Sequence, residues 1–377
     1  MNLESSRPDL ARAQAQAIDP ELARIVQRAL PNARLLRAVA LGNDDAVGVR
    51  QLTAKAAGYG IPIRIDVDDG GRRRAFVLHG TSANQFGHDR RADRAAELLP
   101  AADTYASIPG HAQALDVGAF GSDGKSVSLK DSGEFYLLTE YVQGHPYARD
   151  LRRIAGARAT ETGDFERVRT MVDYLVTLHA SRPECSGAYA RSLRDLLGSG
   201  EGIFGIVDGY PAGSDDALAT RLQGIEARCL AWRWRFKQRS PRPARIHGDF
   251  HPFNVLFDDA ATLHVLDASR GSLGDAADDV ACMAVNFVFF ALEDAVAWHA
   301  AFRPLWCEFW DRYLTRSGDR ELLSVVAPFL AWRLLVLACP IWYPNLPKAA
   351  RERLLQFAES ALKADCFIPT SADAVFR

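Results

Sequence analysis

Apolar and polar positions change their period once along this chain. Residues 19–30 carry apolar side chains at helical spacing, with Asp19 as a cap and Pro20 at the first helical position. From about residue 34 to 140 the texture is strand-like and Gly-rich. Ile61–Val67 and Arg74–His79 flank Asp68–Asp69–Gly70–Gly71, which predicts a hairpin with a tight turn. A helix is predicted from about His88 to Leu99 with Asp89 as its cap, and strands over 114–120 and 135–142. After Gly144–His145–Pro146 the period becomes helical. Phe165–Ala180 has apolar residues at helical spacing, and nearly everything beyond 280 reads the same way. Residues 194–215, rich in Gly, Ser and Asp, read as a loop or lid. One short hairpin interrupts the helices, with Asn254–Phe257 as a strand, Asp258–Ala261 as the turn and Thr262–Leu266 as the returning strand. These elements predict an α+β chain in three parts: a helical extension at 1–33, a small antiparallel-sheet lobe at 34–142 and a large, mainly helical lobe at 143–377.

Composition narrows the classes. At 377 residues and 48% apolar, the chain is long enough for two lobes with a sizeable core. A net charge of −2 predicts neither nucleic acid nor a membrane as partner. The basic residues are almost all Arg, with only six Lys. Six Cys, at 185, 229, 282, 307, 339 and 366, form no C-x-x-C pair, the usage of a reduced, cytoplasmic protein. Glu4 and Asp9 leave no room for the apolar segment of a signal peptide. Val280–Leu292 is the longest strongly apolar run, too short to span a bilayer, and is expected to be a buried helix. Trp298, Trp306, Trp310, Trp332 and Trp342 read as core before ligand platform.

The chemistry concentrates in Ile246–His247–Gly248–Asp249–Phe250–His251–Pro252–Phe253–Asn254, followed by Val265–Leu266–Asp267. Asp249, Asn254 and Asp267 fall around the short hairpin. Phosphoryl transfer from ATP needs such a set: a carboxylate to orient and deprotonate a hydroxyl, and an Asn and an Asp to hold Mg²⁺. Other readings exist. Asp249 could be a turn residue and Asn254 a cap, and His247-x-Asp249-x-His251 could begin a Zn²⁺ or Fe site, although no second His-rich cluster follows.

The segment resembles the catalytic core of the aminoglycoside phosphotransferase and choline kinase-like family, which has the protein-kinase fold and an H-G-D-x-H-x-x-N run. The resemblance implies a bilobal protein-kinase-like fold. By position it implies Asp249 as catalytic base, Asn254 and Asp267 as Mg²⁺ ligands, ATP as donor and a small-molecule hydroxyl as acceptor. Gly274–Ala281 is similar to the family's G-D-P-x-x-D-L-A, with Ala276 in place of Pro, and implies that Asp279 braces the catalytic loop. Leu178–His179 resembles the L-H that ends a family helix. His247 is expected to pack under the loop and His251 to help position it. Glu140–Tyr141–Val142 falls at the hinge that binds adenine through backbone groups, which makes Glu140 and Val142 candidate nucleotide contacts.

The small lobe departs from the pattern. Where a Lys normally grips the phosphates, the strand ends in His79, shorter and mostly neutral at pH 7. Asp93 or Glu97 on the following helix could pair with it or with an Arg. Lys55 is the only Lys before residue 125. For the phosphate-covering loop, Gly58 and Gly60 are preferred over Gly42–Gly48, whose two acids would repel phosphate. His88, Arg90 and Arg91 put positive charge at a helix start and could face phosphate instead. These departures leave a pseudokinase-like nucleotide-binding protein as the alternative. A protein kinase is disfavoured, because no long segment ending in A-P-E follows Asp267. The acceptor stays open. Tyr343 and Asn345 could line its pocket, and Glu293, Asp294, Glu308 and Asp311 could serve a cationic antibiotic. Monomer and homodimer are both compatible with the sequence.

Overall fold

A computed structural model describes residues 19–41, 62–84, 86–183, 186–211, 216–268 and 272–377. The candidate phosphate loop with Gly58 and Gly60, the alternative at 42–48 and Lys55 lie outside the described residues. The chain divides into two compact units, Met1–Thr139 and Glu140–Arg377.

In the first unit, α1 (Pro20–Ala29) starts where Asp19 accepts the Glu21 N–H at 2.8 Å. Strands β1 (Ala33–Ala40), β2 (Ile63–Asp69) and β3 (Arg72–Leu78) form an antiparallel sheet in that order. Leu22 and Val26 of α1 bury against Leu35, Ile65 and Val67 of the sheet. The β2–β3 turn is Gly70–Gly71, with φ of +61° and +87°, a left-handed pair that only glycine adopts at no cost. Helix α2 runs from Arg91 to Thr104, so it begins and ends later than the sequence pattern predicts. Asp93, not Asp89, closes its start by accepting the Arg90 N–H at 2.8 Å. A second hairpin, β4 (Gly118–Phe120) and β5 (Ser126–Ser128), is tied to α1 through Arg28 and Glu21, both bonded to Ser126. The predicted strand at 135–142 does not form: no ladder is present there among the described residues, and Tyr136, Leu137, Leu138 and Tyr141 are exposed. Phe135–Leu138 is apolar at every position, and such a strand needs cover on both faces.

The second unit begins with β6 (His145–Pro146), followed by α3 (Tyr147–Ala157), α4 (Thr162–Ala180), α5 (Ser186–Gly198), α6 (Ile203–Asp208) and α7 (Asp216–Lys237). Most of the described residues in the segment read as a loop or lid at 194–215 are therefore helical. Its Leu196, Leu197, Ile203 and Ile206 are buried, while Gly198, Gly200 and Gly202 fall at the joint between α5 and α6. Then come β7 (Ala244–Arg245), β8 (Val255–Phe257), β9 (Leu263–Val265), β10 (Leu273–Gly274) and α8 (Ala277–Ala291). A short α9 (Ala295–Ala297) passes through a π-turn into α10 (Arg303–Ser317). Helices α11 (Ala327–Ala338) and α12 (Lys348–Lys363) complete the unit. One core runs through it, built by α8 and α11 with α4 on α10 and α12 on α11. Helix α8 is the buried helix the apolar run predicts. Trp298, Trp306, Trp310 and Trp332 are buried in this core, and Trp342 is exposed. No helix among the described residues is long and apolar enough to cross a membrane.

Candidate active site

Two minimal sheets present the site. Strand β7 pairs with β10, and the Ile246 N–H continues the ladder to the Ser272 carbonyl at 3.0 Å. Strands β6, β8 and β9 form the other sheet. Between β7 and β8 the chain makes the loop 246–254. Gly248 turns it with φ +85°, a conformation that would strain any other residue. The β8–β9 register places Val255 opposite Val265, and the Leu266 N–H donates to the Asn254 carbonyl at 2.9 Å. That register sets Asp267 one residue past the pairing with Asn254. The tight β8–β9 turn is held by Asp258, which accepts the Ala260 and Thr262 N–H groups at 3.0 and 2.8 Å. Hydrogen bonding to those amides holds its carboxyl below the usual carboxylate range.

Asp279 is the brace of the loop. Fully buried at the start of α8, it accepts the N–H groups of His247 at 2.7 Å and Gly248 at 2.8 Å, and meets His179 Nε2 at 3.1 Å. His179, at the end of α4, is held on its other side by the Tyr313 hydroxyl at 2.7 Å. The Leu178–His179 pair thus meets the site through Asp279. His247 is buried edge-on to Phe250, with its Nδ1 accepting the Asp249 N–H at 3.3 Å and its Nε2 without a hydrogen-bond partner. It packs under the loop, as expected. Among the described residues no three His, Cys, Asp or Glu side chains gather as a metal-binding group, so the cluster His247–Asp249–His251 does not assemble.

Asp249 is partly buried and engaged on both oxygens. Its Oδ1 accepts from Arg333 Nη1 at 2.7 Å, with the Cys282 thiol at 3.9 Å. Its Oδ2 lies 3.4 Å from His251 Nε2 and 3.5 Å from Asn254 Nδ2. His251 Nδ1 accepts the Phe253 N–H at 3.1 Å, so in the neutral ring the proton sits on Nε2, toward Asp249. Asn254 is buried and spends its Nδ2 on the Asp249 carbonyl at 3.1 Å, which directs its Oδ1 the other way. Asp267 is exposed and has φ +57°, uncommon for a residue with a side chain. An amide oxygen and a carboxylate are hard donors of the kind Mg²⁺ takes, with waters and phosphate completing the shell. The donor set at Asn254 and Asp267 fits that ion.

Arg333, on α11, is absent from the sequence reading, as is the role of Asp278. Its Nη2 donates to the Gly248 carbonyl at 2.9 Å and to Asp278 Oδ1 at 2.7 Å. Burial alone would lower the Arg333 pKa, but the carboxylates of Asp278 and Asp249 outweigh it and push the value up. Burial pushes the Cys282 thiol up as well. One signal was available: Arg333 is the single charge in the apolar run Phe329–Leu337. A buried charge there requires a partner.

Other candidates are more scattered. His79 is exposed just beyond β3, and Glu97 pairs with His88 Nε2 at 3.2 Å. Glu140 is exposed and Val142 half-buried, in the irregular start of the second unit. Tyr343 rests edge-on against Phe289 with ring centroids 4.9 Å apart, and burial with nearby Cys282 and Asp249 raises its pKa. Asn345 is exposed. Of the four acids considered for a cationic pocket, Asp294 is bound by Arg158 and Glu308 by Arg169, each at 2.6 Å.

Comparison with known proteins gives the family. Residues 123–316, just over half of the chain, match the model of the phosphotransferase enzyme family. The chain belongs to that family. Solved structures similar to it include a choline kinase, LicA, from Streptococcus pneumoniae, 11% identical over 91% of this chain and 97% of that chain, with a TM-score of 0.35. An ethanolamine kinase from Plasmodium vivax is 12% identical over 85% and 84%, with a TM-score of 0.35. An aminoglycoside phosphotransferase from Streptomyces rimosus is 17% identical over 73% and 89%, with a TM-score of 0.33. A search of curated proteins found no match.

Proposed function

We propose that this protein transfers the γ-phosphate of ATP to a hydroxyl of a small molecule, with Asp249 as the base. The observation that carries the reading is the fixed Asp249 carboxylate on a loop braced by Asp279. Oδ1 is bound by Arg333, so the acceptor hydroxyl would give its proton to Oδ2, the oxygen on the side of Asn254 and His251. Asn254 and Asp267 would hold Mg²⁺, which when bound offsets the phosphate charge. His251 Nε2–H orients the same carboxylate, and the Asn254 amide locks the loop carbonyl of Asp249. For nucleotide contacts the reading keeps Gly58, Gly60, His79 and the backbone at Glu140 and Val142. The acceptor is a small hydroxylated molecule, and the arginine pairing of Asp294 and Glu308 weakens the case for a polycation.

His79 in the Lys position favours the second reading, a pseudokinase-like nucleotide-binding protein. Turnover separates the two. Asp249→Ala and Asp267→Ala should each lower kcat by about 10²–10⁴-fold with the circular dichroism spectrum unchanged. Parental activity in either variant removes the assignment. Mg·ATP binding with no transfer to any acceptor supports the second reading.

A further inference from the structure

We propose that Arg333 is the positioning residue of this site, fixing one oxygen of Asp249 so that the other faces the acceptor hydroxyl; the inference rests on the reading of Asp249 as the base. Arg333 comes from α11, 84 residues along the chain from Asp249, and its side chain is 7% exposed. Its guanidinium meets three loop or helix acceptors at once: Asp249 Oδ1 at 2.7 Å, the Gly248 carbonyl at 2.9 Å and Asp278 Oδ1 at 2.7 Å. It also lies 3.9 Å from the centroid of the Trp332 ring, which holds the plane of the fork. Gly248 is thus clamped from both sides, its N–H by Asp279 and its carbonyl by Arg333. A planar fork spanning two carboxylates and a carbonyl cannot be copied by the point charge of a Lys. The clamp therefore does two things a simple buried ion pair would not. It sets the rotation of the Asp249 carboxylate, and it couples that rotation to the turn at Gly248.

The test compares Arg333→Lys, which keeps the buried charge, with Arg333→Met, which removes it. In the folded Lys variant kcat should fall roughly 100-fold, the scale of a 1 Å misplacement, with both KM values within about threefold of the parent. Amide hydrogen exchange over 247–254 should quicken in both variants, while exchange in α4 and α12 stays as in the parent. Unchanged exchange over 247–254 overturns the proposal, as does a folded Lys variant whose kcat stays within about threefold of the parent. A fall in kcat matched by a rise in both KM values also overturns it, because that pattern is general loosening. If Arg333→Met does not fold, the Lys variant decides. If the unsubstituted protein phosphorylates no acceptor, the reading of Asp249 fails, and the exchange experiment alone decides whether Arg333 orders the loop.

Discussion

A carboxylate with no exposed surface needs N–H or cationic partners, and Asp279 has three, the His247 and Gly248 amides and His179. Asp279→Ala would leave two buried amides without an acceptor and His179 without its charge partner. It should cost about 2–4 kcal/mol in urea denaturation, and a loss below about 1 kcal/mol would contradict the bracing role. Asp267 poses the opposite case. Its left-handed φ of +57° is a conformation glycine adopts freely, held here at a candidate metal ligand. Asp267→Gly should therefore keep stability within about 1 kcal/mol of the parent while lowering kcat as far as Asp267→Ala does. A large loss of stability instead would mean that the side chain is structural.

At the scale of elements, Asp275 shows how a motif residue sets up a helix. Its Oδ1 accepts the Ala277 N–H at 3.0 Å, opening α8, and its Oδ2 accepts the Tyr189 hydroxyl at 2.9 Å and faces Arg242 at 3.4 Å. Asp275→Ala should cost about 2–3 kcal/mol, read as a lower unfolding midpoint in urea, since it uncaps the helix and leaves the buried Tyr189 hydroxyl without its acceptor. Much of this architecture was legible in the sequence. The hairpin at Gly70–Gly71, the β8–β9 hairpin and the buried helix α8 follow from turn chemistry and apolar runs, which are local signals. What was not legible depends on partners distant in sequence. Arg333 reads as one charge in an apolar helix until Asp249 and Asp278 arrive beside it. The helices at 194–208 were hidden by Gly198, Gly200 and Gly202 at their joint and Gly205 inside α6. The stretch 135–142 looks like a strand by composition, yet a strand needs a neighbour as well as a propensity. The cap of α2 passed from Asp89 to Asp93 because the carboxylate inside the first turn reaches the Arg90 N–H.

The molecule as a whole rests its larger unit on an aromatic core. Trp310 contacts Trp306, Phe309 and Phe367, and its ring is fully buried. Trp310→Ala should cost about 3–5 kcal/mol. Trp310→Phe should cost less than about 1.5 kcal/mol, because the indole N–H has no hydrogen-bond partner to lose. Equal losses in the two variants would argue against that packing. The chain belongs to a family of phosphotransferase enzymes, and the base proposed for it is Asp249. The most direct test of that account is the acceptor-dependent rate of ADP formation from Mg·ATP, measured for the parent and Asp249→Asn across a panel of hydroxylated metabolites and antibiotics. The account expects at least one acceptor to raise the parental rate, with that increment lost in Asp249→Asn and on removal of Mg²⁺ by a chelator. An acceptor-dependent rate that survives in Asp249→Asn would contradict it.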